Sequence, residues 1–235
     1  MAAALGWGCL AASSLVLGAL LAFGRDWSRL QVGGVLAFGA GALISAVSIE
    51  LWEEGFQIGG LGWTGLGLAI GAVTYFACDS ALERRSPRSG DSGAGTGLAL
   101  GAFLDGIPEQ FVLGIGLARG DGISIALLVA IFASNLPEAI GSARSMADRG
   151  KARRSVLGLW VAVAIACALA TAVGYAVADA ASGGLQGAIN GFAAGALLVM
   201  LIDSMIPAAN RDAGRSAGLL AALGFAVAAV LSSLP

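Results

Sequence analysis

The sequence predicts an all-α integral membrane protein, with eight transmembrane helices in a single transmembrane domain over residues 1–235. Of its residues, 57% are hydrophobic and only 12% are charged, whereas soluble domains carry about 25% charged residues. Eight apolar runs approach the ~20 residues that a helix needs to cross a bilayer. The 37 glycines suit close helix packing through small residues.

The apolar runs follow one another through short polar breaks. No positively charged segment precedes the first, so we expect it to be a membrane helix rather than a cleaved signal peptide. The break at 83–96 is rich in Ser, Gly and charge, which is typical of a flexible cytoplasmic tether, with a regulatory loop as the alternative. The runs cover residues 5–23, 32–51, 61–82, 97–117, 122–146, 156–177, 187–206 and 217–234.

The basic residues predict the orientation. The odd-numbered loops, counted with Arg144 at the adjoining end of the fifth run, carry 12 of the 13 basic residues, and the even-numbered loops carry only Arg119. Because Lys and Arg are enriched in cytoplasmic loops, both termini are predicted to be extracytoplasmic. We therefore expect a multi-pass protein of the plasma membrane, in a bacterium the inner membrane.

Helices two and seven resemble each other. The segment FGAGALISAVSIE starts at Phe38, and FAAGALLVMLIDS starts at Phe192. In this alignment Gly41 matches Gly195. The two helices lie five apart in order and so run in opposite directions, which predicts an inverted repeat of helices one to three and six to eight around helices four and five. Chance similarity between two Gly/Ala-rich helices is the alternative.

Helix four contains the motif LDGIPEQ, with two acids inside an apolar span. Such acids are expensive in a membrane and are usually paired and functional. Asp105 and Glu109 are four residues apart, so they share one helical face. Pro108 has no N–H, which leaves the carbonyl of Leu104 without its helical partner.

Helix five contains a similar motif, ASNLPEA. Ser134 lies four residues before Glu138 and Asn135 three residues before it, so all three share a face. Pro137 frees the carbonyl of Ala133. The two helices thus offer oxygen ligands toward a common interior.

These oxygen ligands predict a metal site. Two glutamates facing each other in low dielectric would repel, and a divalent cation between them removes that penalty. The alternative is that the prolines only kink the helices and the acids pair with Ser or Asn. Asp203 in helix seven either lines the exit path or caps its helix. There is no histidine, which excludes the usual zinc ligand set, and Cys9, Cys78 and Cys167 are isolated, so we expect them to be small buried hydrophobes.

In these motifs the chain resembles the ZIP (Zrt/Irt-like) family of metal transporters. The family's helix-four motif is similar to HNxPEG, and its helix-seven stretch ends in two acids, an apolar residue, Ile and Pro. The matching positions are Asp105, Gly106, Pro108, Glu109 and Gln110 in helix four, Ser134, Asn135, Pro137 and Glu138 in helix five, and Asp203 and Ser204 in helix seven.

The resemblance implies one good metal position, formed by Asp105, Glu109, Ser134 and Glu138. A second position keeps only Glu109, Glu138 and Asn135, because Gly106 and Ser204 replace family ligands. Oxygen ligands favour Mn, Mg or Ca, while the affinity order favours zinc over manganese. The resemblance therefore leaves the metal open.

The resemblance implies a transporter that moves divalent cations of the Zn/Fe/Mn type toward the cytoplasm. It implies no enzymatic activity and no cofactor beyond the metal as substrate. The expected partners are metal ions and the lipid bilayer, without nucleic acid, and the small residues on helix faces suit a homodimer. One alternative is a ZIP-like protein that has lost ordinary transport and serves as a sensor or carries another substrate. The other is an intramembrane phosphatase, which needs arginines inside the membrane, whereas the predicted helices contain only Arg144, near the end of the fifth run.

Overall fold

The computed structural model describes residues 1–24, 26–85, 94–118 and 124–233. Within these ranges the chain is helical and contains no strand. Five helical stretches there are long and apolar enough to cross a membrane. The prediction of an all-α chain is confirmed, and the long apolar helices are those of a membrane-embedded protein. The five stretches are Ala2–Leu21, Arg29–Ala81, Ile125–Asp148, Arg153–Ala180 and Gly184–Ala213.

The helices are joined by short breaks, and two π-helical segments, π1 and π2, continue α2 and α7. Proline lies inside both α4 and α5. The elements in chain order are α1 (Ala2–Leu21), α2 (Arg29–Ala46), π1 (Val47–Glu53), α3 (Glu54–Arg85), α4 (Ala94–Ala118), α5 (Ile125–Asp148), α6 (Arg153–Ala180), α7 (Gly184–Met200), π2 (Leu201–Met205), α8 (Ile206–Ala213) and α9 (Ser216–Ser232).

The interruption between helices two and three differs from the prediction. The sequence predicts a break at 52–60, but the chain stays helical through π1 and across Glu54. The helical path is interrupted at Gly60, whose φ is 71°, a backbone conformation that glycine tolerates because it has no Cβ. Hydropathy marks where polar residues occur, but polar residues at the end of a span can remain helical.

Two further predicted boundaries are corrected. The predicted tether at 83–96 is helical at both ends, since α3 continues to Arg85 and α4 begins at Ala94. Residues 86–93 lie outside the described residues. The helix predicted to end at residue 206 continues through π2 and α8 to Ala213, where Gly214 with a φ of 57° follows.

The helices pack into two bundles, and the larger hydrophobic core spans both of them. The first bundle consists of α2, α3, α7, α8 and α9, and its closest packing joins α3 to α7 and α2 to α9. The second bundle consists of α1, α4, α5 and α6, with Leu15, Ala139 and Trp160 in its core. The bundles meet mainly where α2 lies against α5, and the larger core extends there to Leu127 and Ile131 of α5.

Glycines allow the closest helix contacts of the first bundle. At four of them, among others, a Cβ atom would overlap a backbone carbonyl of the facing helix, so a larger residue could not occupy the same position without moving the helices apart. Small residues at such interfaces let membrane helices approach closely. The four contacts are Gly41 with Ala221, Gly224 with Phe38, Gly195 with Leu68 and Gly71 with Phe192.

Candidate functional site

The candidate site lies where α4 and α5 face each other near their prolines. Pro108 and Pro137 are both accommodated inside their helices. Each proline removes one helical hydrogen bond, which frees the carbonyl four residues earlier. In a membrane such a backbone group is tolerated where protein buries it or where it lines a cavity.

A carboxylate and a hydroxyl connect the two helices. The hydroxyl of Ser134 lies 2.8 Å from Oε1 of Glu109, to which it donates, and 2.9 Å from the carbonyl oxygen of Ile131. Glu109 is 1% exposed and Ser134 is 2% exposed. The sequence prediction that Glu109 and Ser134 face a common interior is thus supported by a direct contact.

Asn135 adds polar atoms that the described residues leave unsatisfied. Its side chain is 1% exposed, and neither its Nδ2 nor its Oδ1 has a hydrogen-bond partner within the described part of the chain. An unsatisfied buried polar group costs about 1–3 kcal/mol. Buried polar groups without a protein partner are commonly satisfied by a water, an ion or a ligand.

Glu138 and Cys167 extend the cluster toward α6. Glu138 is half-buried, and the buried thiol of Cys167 lies within electrostatic range of both Glu109 and Glu138. A Cβ atom on Gly106 would lie 2.8 Å from Sγ of Cys167. The glycine in the helix-four motif therefore leaves the space that the thiol occupies.

The sequence analysis did not predict the position of Cys167 beside the acids. Nothing in the chain spacing signals it, because Cys167 lies on α6 and the two acids lie on α4 and α5. Burial is confirmed for Cys167, but the prediction that all three cysteines are buried is wrong for Cys9 and Cys78, which are exposed. Both lie in apolar helices, where exposed positions face the surroundings of the bundle.

A second buried hydrogen bond ties α4 to α6 beside Glu109. The hydroxyl of Thr171 donates to Oε1 of Gln110 at 2.7 Å, and both side chains are fully buried. Nε2 of Gln110 has no partner among the described residues. The bond holds the part of α4 that follows Pro108 against α6.

The remaining predicted site residues are placed differently. The side chain of Asp105 lies outside the described residues, although its backbone belongs to α4. Asp203 is exposed and lies in π2, where it lines an open surface groove of about 540 Å³ between α3 and α7 together with exposed apolar side chains such as Val73, Phe76 and Ile202. No described contact joins Asp203 to the α4–α5 cluster.

The described side chains form part of a metal site rather than a whole one. No three Asp, Glu or Cys side chains are grouped closely enough to hold a metal ion in the described part of the chain, which leaves out the carboxylate of Asp105. What the structure brings together is the Glu109–Ser134 pair, with unsatisfied Asn135 as the next residue. This arrangement can neutralise and coordinate a cation only if further ligands join it.

The fold and this site define an all-helical, membrane-embedded protein with a buried carboxylate between two proline-containing helices. No protein-family model matches the chain, and no curated protein matches it in sequence. The resemblance to ZIP transporters therefore depends on the motifs of helices four, five and seven. Function has to be argued from the site.

Proposed function

We propose that the chain is a membrane transporter that moves divalent metal cations of the Zn/Fe/Mn type toward the cytoplasm, and that it is a ZIP-like protein. The single observation that carries the proposal is the buried contact between Glu109 and Ser134. A carboxylate buried in an apolar helix bundle is costly unless an opposite charge compensates it. Acids inside membrane helices commonly mark ion pathways.

Glu109 and Glu138 are the proposed shared ligands, one from each proline-containing helix. Asp105, Ser134 and Asn135 complete the proposed shell. Carboxylate and amide oxygens are ligands that hard divalent cations accept, and the unsatisfied Oδ1 of Asn135 supports a ligand role for that residue. Asp203 is proposed to lie along the path of the cation rather than at this site.

Cys167 bears on the choice of metal. An oxygen-only shell favours Mn, Mg or Ca, whereas a thiolate favours softer ions. The thiol of Cys167 lies within electrostatic range of Glu109 and Glu138, so its loss of a proton to a bound metal would favour zinc or ferrous iron more strongly than the oxygen ligands alone. The metal preference is a balance between these two contributions.

We propose further that the helices make eight crossings, with helices one to three and six to eight as an inverted repeat around α4 and α5. The alignment of Phe38 with Phe192 also pairs Val47 with Leu201, and these two residues begin π1 and π2. The same irregularity at matched positions is an observation independent of the sequence similarity. It favours the repeat over chance resemblance.

The glycine contacts support the repeat in the same way. Gly41 faces a carbonyl of α9, and its aligned partner Gly195 faces a carbonyl of α3. A glycine of α9 packs against the backbone carbonyl of Phe38, and a glycine of α3 packs against the backbone carbonyl of Phe192. The pairing of α2 with α9 thus corresponds to the pairing of α7 with α3, as an inverted repeat requires.

The proposed topology places both termini outside the cytoplasm, in the plasma membrane or a bacterial inner membrane. Its support is the concentration of basic residues in the odd-numbered loops, which the positive-inside rule assigns to the cytoplasm. The proposed homodimer has weaker support, namely the small residues on exposed helix faces.

Equilibrium metal binding to the purified protein tests the proposed site. We expect Zn²⁺ and Mn²⁺ to bind the wild type with measurable heat, and the Glu109→Ala variant to lose that binding because the central carboxylate is gone. Asp179→Ala is the matched control, since Asp179 is an exposed acid at the end of α6. Equal binding by the wild type and Glu109→Ala would contradict the proposed site.

A ZIP-like sensor is the second candidate function. It is favoured by the absence of a three-ligand group among the described side chains and by the thiol of Cys167 filling the space beside Gly106. A sensor would bind metal without moving it across a membrane. The phosphatase alternative is not favoured, because the arginine side chains whose surroundings are described are exposed and so are not placed to grasp a phosphate beside Glu109.

A further inference from the structure

A second acid, Glu50 of π1, joins three segments that are far apart in the chain. The hydroxyl of Ser124 donates to Oε1 of Glu50 at 2.6 Å, and the hydroxyl of Ser232 donates to the same oxygen at 2.8 Å. Ser124 precedes α5 and Ser232 ends α9. Two helix ends thus meet on one carboxylate oxygen.

Ser124 links this oxygen to the geometry of α5. Its Oγ also accepts a hydrogen bond from the backbone N–H of Leu127 at 3.0 Å, so it caps the start of the helix. Ser134 lies ten residues further along α5, about 15 Å at the rise of an α-helix. Because the helix is a stiff element, the position of its capped start determines where Ser134 lies along α5 relative to Glu109 on α4.

The bonds of Glu50 also cross between the two bundles. Glu50 and Ser232 are continuous with α2 and α9 of the first bundle, while Ser124 belongs to α5 of the second. Hydrogen bonds to a carboxylate are stronger than bonds between neutral groups. π-helical segments often occur at functional sites, and π1 places Glu50 where the two bundles meet.

We propose that Glu50 is a positioning residue that latches the start of α5 to the first bundle. The Glu50 latch, defined as Glu50 with Ser124 and Ser232, holds α5 where Ser134 reaches Glu109, and it releases Ser124 when the two bundles move during transport. This inference rests on the proposed function for the release step. The holding step stands on the hydrogen bonds alone.

A covalent version of the latch tests the release step. The two hydroxyl oxygens bond to one atom, which brings the two side chains together and makes a Ser124→Cys/Ser232→Cys pair a candidate disulfide, in a Cys9→Ser/Cys78→Ser background that removes the exposed thiols. We expect oxidation to stop metal uptake in proteoliposomes and reduction to restore it. The Ser124→Cys single variant, oxidised in parallel, is the control. Failure of the pair to cross-link, or full uptake by the cross-linked protein, would overturn the proposal.

The holding step is tested without any metal, through the reactivity of Cys167 in the same background. Glu50→Ala removes the acceptor oxygen, whereas Glu50→Gln keeps one. In detergent, a charged thiol reagent should label Cys167 roughly tenfold faster in Glu50→Ala, the effect expected from losing a hydrogen bond to a charged group. Glu50→Gln should label at close to the wild-type rate. Equal labelling of Glu50→Ala and the wild type would overturn the proposal.

The two tests separate failure of the latch from failure of transport. A wild type that moves no metal, combined with faster labelling of Glu50→Ala, would contradict the proposed function and support the holding step. Metal uptake that is abolished by Glu109→Ala, combined with unchanged labelling of Glu50→Ala, would support the proposed function and overturn the latch.

Discussion

At the scale of single residues, the site depends on how a carboxylate is kept in an apolar bundle. The hydroxyl of Ser134 satisfies one oxygen of Glu109, while the amide of Asn135 remains unsatisfied by the described residues. The proposed cation site would therefore need ligands beyond the protein side chains that the structure describes.

Removing the hydroxyl of Ser134 should weaken metal binding without abolishing it. Ser134→Ala leaves Glu109 with one donor fewer, and we expect the apparent metal affinity to change by about tenfold, as for one hydrogen bond to a charged group. Ser142→Ala is the matched control, because Ser142 is also a buried serine of α5. Calorimetric titration of both variants measures the difference, and identical affinities would contradict the role given to Ser134.

The contact between Gly106 and Cys167 makes a prediction about stability. Gly106→Ala places a methyl group 2.8 Å from Sγ of Cys167, and such overpacking typically costs about 1–3 kcal/mol. Gly116→Ala in the same helix meets open space and should be neutral or stabilising, since alanine favours a helix over glycine by about 1 kcal/mol. Thermal unfolding in detergent should rank Gly116→Ala above Gly106→Ala, and the reverse order would show that the thiol does not fill this space.

Residue-level prediction from sequence succeeds where helical spacing decides which side chains share a face. The proline–glutamate motifs around Glu109 and Ser134 predicted a shared interior, and the hydrogen bond between these two residues agrees with it. The place of Glu138 in that interior stays a prediction. The position of Cys167 could not be predicted, because contacts between distant helices leave no local pattern. The exposure of Cys9 and Cys78 could not be predicted either, because an apolar helix in a membrane is apolar on its outward face as well as on its buried face.

At the scale of helices, glycine sets the distance between α7 and α3. A Cβ on Gly195 would overlap the carbonyl of Leu68, so Gly195→Ala should destabilise the protein by about 1–3 kcal/mol through overpacking. Gly65→Ala in α3, where nothing lies nearby, is the matched control. If the inverted repeat holds, Gly41→Ala in α2 should lose a similar amount. Denaturant titration measures all three, and a Gly195→Ala variant as stable as Gly65→Ala would contradict the close packing.

Sequence reasoning located the helices better than their interruptions. Apolar runs marked where helices occur, because burial in lipid requires apolar side chains over the whole span. They did not show that Glu53 and Glu54 remain helical or that the path turns at Gly60, because those features depend on backbone hydrogen bonding and one positive φ. The π segments had no sequence signal, although they matter for where Glu50 and Asp203 lie.

At the scale of the whole molecule, the two bundles are joined by a hydrophobic core that reaches both of them and by the packing of α2 against α5. The Glu109–Ser134 contact lies within the second bundle, and α2 of the first bundle packs against α5 beside it. The backbone around Ala133 and Ser134 lies so close to Gly39 that a Cβ there would overlap it. Movement of α2 would therefore displace the backbone that carries Ser134.

The proposed topology makes a prediction that needs no transport. Single-cysteine variants Lys151→Cys and Asp179→Cys, in a background without native cysteines, place thiols in neighbouring loops at opposite ends of α6. An impermeant thiol reagent added to intact cells should label Asp179→Cys and not Lys151→Cys, since the basic loop is expected in the cytoplasm. Both should be labelled after the cells are opened. The opposite pattern in intact cells would invert the topology.

The central claim is that α4 and α5 carry a divalent cation through the membrane. The most direct measurement is uptake into proteoliposomes loaded with a metal-sensitive dye, with Zn, Fe, Mn, Cd, Co and Mg compared for the wild type and for a Glu109→Ala/Glu138→Ala variant. Transport predicts uptake of at least one divalent metal by the wild type and none by the double variant. No uptake of any metal by either protein, or equal uptake by both proteins, would contradict the claim.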